Sequence, residues 1–220
     1  MSLAILFKDE LNGFYRSKVM LFLWAGLPAL AVILYLITSD ADTGGIPFSS
    51  FAALLVSVIG GMISAAMLTV AIINEREKHV YDLFVIRPVK RRNIVLSKFL
   101  AVYLCVVGAG FAAIVLGVAV DYFRSDMSPA TLLSNLLPAM VIVVSMVAIS
   151  CSAGVLIGIF SPSVLVGVIL VIYGANQLSA MAILPVLSAS SAEYFPLIPG
   201  FVITALLLLT AVWVFNRKQL

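Results

Sequence analysis

The sequence predicts an all-α polytopic membrane protein: six transmembrane helices preceded by an N-terminal amphipathic interfacial helix, with a cytoplasmic docking segment between spans two and three. Three observations carry this. Of the 220 residues, 63% are hydrophobic and 10% charged, where a soluble domain carries roughly 25% charged residues. The apolar residues gather into six runs, about 19–38, 51–74, 94–120, 131–160, 164–187 and 197–215, each able to cross ~30 Å of hydrocarbon at about 1.5 Å rise per residue. These runs are apolar on every face, which disfavours barrel strands with their two-residue alternation. With the amino terminus in the cytoplasm, twelve of the thirteen Lys and Arg residues lie on the inner side and Arg124 alone on the outer. That bias places both termini in the cytoplasm.

Residues 3–18, "LAILFKDELNGFYRSK", are too short and too charged to span. Leu3, Phe7, Leu11 and Phe14 recur at helical spacing, with Lys8, Asp9, Asn12 and Arg16 elsewhere, the pattern of a helix lying in the interface; the plainer alternative is an extension that frays into solvent. The run from 19 to 38 is longer than the roughly 7 to 15 apolar residues of a cleavable signal core and reads as a retained span, with Pro28 the place for a bend. The fourth run exceeds a straight crossing, so tilt, a bend or a projection is expected, with Pro138 and Pro162 bounding or kinking it. "SPS" at 161–163 forms a short second cytoplasmic connection. Residues 184–200, with three prolines and Glu193, form an outer segment that is either a re-entrant element or a loop. One membrane domain accounts for residues 1–220.

Several chemistries are disfavoured. There is no Gly-rich phosphate loop, no H-E-x-x-H and no G-x-S-x-G. The single histidine, His79, rules out a multi-histidine metal site within this chain, and Cys105 and Cys151 fall inside spans, away from any disulfide framework. Nucleic-acid binding has no support, since the cations flank spans as orientation requires. Ion-coupled carriers keep buried acids or bases for work; here the spans hold almost none, with Asp121 at the outer end of the third. The polar inventory is neutral: Ser57, Ser64, Thr69, Ser145, Ser150, Ser152, Tyr173, Asn176 and Gln177. Energy for any transport therefore enters from another subunit. Asn176 and Gln177 either line a path or act as hydrogen-bonding glue between helices. "GGMISAA" at 60–66 and "GVLIG" at 154–158 permit close helix contact, within the chain or across a dimer seam.

Charge concentrates at 73–98, "INEREKHVYDLFVIRPVKRRNIVLSK", which holds seven of the thirteen cations and three of the ten acids. Topology alone needs the cations, but neither the acids nor the apolar and aromatic face of Val80, Tyr81, Leu83 and Phe84. Pro88 ends any helix near Ile86. This is a docking surface.

The stretch resembles the segment between the second and third spans of ABC type-2 transporter permeases, whose usual run is E-R-E-x-G-T-L-E-x-L-x-x-x-P-V-x-R followed by a span with an early Lys. Glu75, Arg76, Glu77, Asp82, Phe84, Pro88, Val89, Arg91 and Lys98 fall on matching positions without gaps. His79, Val80 and Tyr81 replace the Gly-Thr-Leu of that run, and His79 is either simply solvated or a pH sensor.

The resemblance implies a membrane permease subunit of an ATP-driven exporter, not catalytic itself, in the cell membrane. It implies that 75–93 carries a coupling helix seated in a separate cytoplasmic ABC ATPase, that the first helix is an elbow helix, and that a second copy or a similar permease completes an alternating-access path. Glu75, Arg76, Glu77, Tyr81, Asp82, Phe84 and Arg91 would contact or brace the ATPase, with Pro88 shaping the loop. Ser57, Ser64, Thr69, Tyr173, Asn176 and Gln177, on the second and fifth spans, would line the path. No cofactor is expected on this chain; ATP and Mg belong to the partner, and lipid surrounds both. The rival reading is a non-transporting scaffold or assembly subunit whose loop recruits another cytoplasmic protein. A channel is disfavoured by the lack of a charged ring or filter-like loop.

Overall fold

The computed structural model describes residues 3–15, 17–38, 48–78, 91–124, 129–181 and 197–217. Among these, all regular structure is helical. Helix α1 (Leu3–Tyr15) leads into α2 (Lys18–Thr38), α3 (Phe48–Glu77), α4 (Arg91–Arg124) and α5 (Pro129–Phe160). Then come α6 (Val164–Leu170), a π-helical turn (Val171–Ala175), α7 (Asn176–Met181) and α8 (Leu197–Arg217). Six stretches are long and apolar enough to cross a membrane: Lys18–Ile37, Phe51–Glu77, Arg92–Val120, Leu136–Phe160, Val164–Met181 and Ile198–Phe215. The chain is a multi-pass α-helical membrane protein, as the sequence predicts.

Helices outrun the apolar runs at several ends because Glu, Arg and Lys are good helix formers. Thus α3 continues through Glu77, and α4 begins at Arg91. At the corner between α1 and α2, the Ser17 hydroxyl accepts from the Met20 amide at 3.2 Å, satisfying a donor that a helix start leaves orphaned. Ser163 caps α6 in the same manner, accepting from the Val166 amide. Pro28 and Pro138 both lie inside helices that continue through them, and Pro162 sits in the connection after α5. The fifth run is not one regular helix: it changes pitch at Val171–Ala175, and its expected end at 182–187, like the outer segment 188–196, lies outside the described residues.

The core is built on α5, the most enclosed span, which packs along α3 over most of its length and meets α4 and α8 on its other sides. Close approach requires small residues. A Cβ on Gly154 would fall 2.6 Å from both Cα and O of Ala65, so α3 and α5 touch backbone to backbone there. The two small-residue patterns therefore meet each other within one chain. Large apolar residues such as Leu23, Leu27, Leu68, Ile114 and Met146 fill the surrounding layers. Leu21, Phe22, Leu36, Leu165, Leu206 and Leu209 are exposed, as residues facing lipid or another membrane subunit must be.

Candidate functional site

Polar chemistry converges where α1, α3 and α4 meet. On α1, Leu6 is buried and Phe14 and Glu10 half-buried, while Lys8, Asp9 and Asn12 are exposed. Phe7 and Leu11 are half-buried as well, so the inward face is Leu6, Phe7, Glu10, Leu11 and Phe14, and it carries an acid that the Leu3–Phe7–Leu11–Phe14 reading does not include. That acid is turned in because α4 offers a cation. Lys98 is only 5% exposed, and its Nζ donates to Glu10 Oε1 at 2.6 Å and to Glu75 Oε1 at 2.5 Å. Two carboxylates thus share one ammonium. An unpaired charge in such a place costs several kcal/mol or more, so the three residues need one another. The second oxygen of Glu75 is buried and has no hydrogen-bond partner among the described residues.

Beside the triad lies a cavity of about 410 Å³, walled by Asp9, Glu10, Gly13 and Phe14 of α1, by Ser17, by Ala71 and Glu75 of α3, and by Lys98. Ala71 also borders a second, apolar cleft of about 480 Å³ between the start of α2, α3 and α6, lined by Val19, Met62, Ile63, Met67, Val168 and Ile172 among others.

One residue beyond Glu75, Arg76 engages the turn between α5 and α6. Its Nη2 donates to the Ser161 carbonyl at 2.5 Å and to that of Pro162 at 3.3 Å. The end of α3 is therefore bound to α1 and α4 through Glu75 and to the α5–α6 turn through Arg76.

The sequence-predicted docking residues divide accordingly. Glu75 and Arg76 are engaged within the membrane domain, and Glu77 is exposed at the end of α3. Arg91 opens α4. Tyr81, Asp82, Phe84 and Pro88 lie outside the described residues, as does most of the 75–93 segment.

The residues proposed for a path also divide. Ser57, Ser64 and Thr69 are fully buried in α3. Ser57 and Ser64 donate to the carbonyls of Ala53 and Gly61 in their own helix, while Thr69 Oγ1 reaches across the seam to the Gly154 carbonyl at 2.8 Å. Cys151 Sγ donates to Ser64 Oγ at 3.3 Å. Tyr173, in contrast, is 73% exposed, Gln177 is exposed and Asn176 half-buried. They flank the end of the π-helical turn, where a Cβ on Gly174 would meet nothing within 4 Å. Within one chain these two groups do not form a common surface.

Two residues central to the site, Glu10 and Lys98, are missing from the sequence-derived set. The signal for Lys98 was present: an ammonium inside an apolar run is costly unless an acid from another element meets it. Which acid meets it is a matter of packing.

Two comparisons with known proteins bear on this arrangement. A family model described as ABC-2 family transporter protein matches residues 6–177, from α1 through the first residues of α7. No curated protein matches the chain.

Proposed function

Since the chain belongs to the ABC-2 transporter protein family, we propose that it is the membrane permease subunit of an ATP-driven exporter, powered by a separate ABC ATPase. Membership carries this reading, because the matched region includes α1, the Glu10–Lys98–Glu75 triad and the whole charged segment after α3.

In this reading both termini and the 75–93 segment are cytoplasmic, and the protein sits in the cell membrane. The segment carries the coupling helix: Glu77, Tyr81, Asp82 and Phe84 contact the ATPase, Pro88 shapes the loop, and Arg91 braces its return into α4. Glu75 and Arg76 act from the membrane side, anchoring the loop's start to α1, α4 and the α5–α6 turn. ATP and Mg bind on the partner. A second copy, or a similar permease, lies against the face that exposes Tyr173 and Gln177, since polar groups left against lipid are costly and π-helical turns are frequent at functional sites. The alternating-access path forms between the two.

Co-purification tests this reading. Tagged protein is expected to bring down a soluble P-loop ATPase in a ratio near one to one. Phe84→Asp combined with Asp82→Arg is expected to release it. A chain that purifies alone, or with a partner of another class, overturns the reading, as does full retention of the ATPase by the double variant.

A further inference from the structure

Lys98 alone, among the described residues, links α1 and α3 by ion pairs. Among the described residues, no Cα of α1 comes within 8 Å of a Cα of α3. The space between them is the cavity of about 410 Å³ walled by Gly13 and Phe14 on one side and Ala71 and Glu75 on the other. Each helix packs against α4 instead, and it is from α4 that Lys98 reaches both carboxylates.

A buried ion pair contributes little net stability compared with an apolar filling of the same volume. What it supplies is registry, because the charges tolerate only one arrangement in which all are paired. A packed interface between α1 and α3 would hold itself. A cavity does not, so α1 and the end of α3 are related through α4, by the packing of each helix on it and by the ammonium that Lys98 extends to both.

We propose that Lys98 is a positioning residue: through Glu10 and Glu75 it sets the first helix and the last turn of α3 in a fixed relation, so that the start of the 75–93 loop and the helix at the membrane surface move together. The coupling consequence rests on reading that loop as the ATPase-docking element; the geometric one does not. Displacement of the loop would then be carried to α1, and any force of the membrane surface on α1 would reach the loop.

Spin labels at Asn12→Cys and Lys78→Cys, both exposed sites, in a Cys105→Ser, Cys151→Ser background report the relation directly by pulsed electron resonance. The full chain in lipid nanodiscs should give one narrow distance. Lys98→Met should broaden it and move it to longer distance, and Lys98→Arg, which can still hold two carboxylates, should restore it. Glu10→Gln removes one arm only and should also broaden it; should Lys98→Met fail to insert, this variant decides. An unchanged narrow distance in Glu10→Gln or Lys98→Met overturns the proposal. With the ATPase bound, the wild-type distance should be the same before and after vanadate trapping, and a change on trapping also overturns it. If no ATPase binds, the transport reading falls while the first measurement still decides the role of Lys98.

Discussion

Arg76 and Ser161 are 85 residues apart, yet the Arg76 guanidinium donates to the Ser161 carbonyl at 2.5 Å. Ser161 follows the last residue of α5, where carbonyls have no helical donor and the helix dipole favours a cation. Ser161 also takes its own amide bond back to Ile157 at 2.8 Å. The contact therefore closes the end of α5 and fixes the three-residue turn that launches α6.

Arg76→Ala is predicted to destabilise the protein by about 1.5–3 kcal/mol, the range for hydrogen bonds to charged groups, with Arg76→Lys recovering part of the loss. Thermal unfolding in detergent measures this. Unchanged stability with loss of ATPase retention would show that Arg76 serves the partner instead of the turn.

Gly154→Ala is predicted to cost about 1–3 kcal/mol, as overpacking does, because the new methyl would lie 2.6 Å from the Ala65 backbone, which cannot rotate away. Gly174→Ala is the control: nothing lies within 4 Å of its Cβ position, and helix propensity alone favours alanine. Comparing the two midpoints checks that the seam, not glycine content, matters.

Thr69→Val keeps the branched shape and removes the hydroxyl that donates to Gly154. A loss of roughly 0.6 kcal/mol is expected, the average for hydrogen bonds between membrane helices. Changed substrate selectivity in this variant, with stability intact, would assign Thr69 to a path.

Gln177→Cys is predicted to form a disulfide-linked dimer on oxidation in native membranes, seen as a doubled mass on a non-reducing gel, because the side chain is exposed within a span. A chain that remains monomeric under the same treatment would place this face against lipid.

Much of the fold was legible because its causes are local. Bilayer thickness sets the length of each run, and every backbone polar group in lipid must be satisfied within its own helix. The pitch change at Val171–Ala175 was not legible, since "VIYGA" carries no proline and reads as ordinary apolar helix. The site was legible in half. The acids and cations of 75–78 stand out by composition, but their partners do not: the same Glu75 and Arg76 that read as a surface for another protein are bound to Lys98 and Ser161.

By itself the sequence determined six apolar spans and the charged segment between the second and third, because each depends on residues adjacent in the chain. The tertiary structure alone decided that Lys98 would draw in an acid 88 residues away on α1 and another 23 residues away on α3, and that Thr69 would serve the α3–α5 seam. Such pairings follow from which helices pack together and in what rotation. A buried charge fixes only that it must have a partner; the packing of distant helices chooses which.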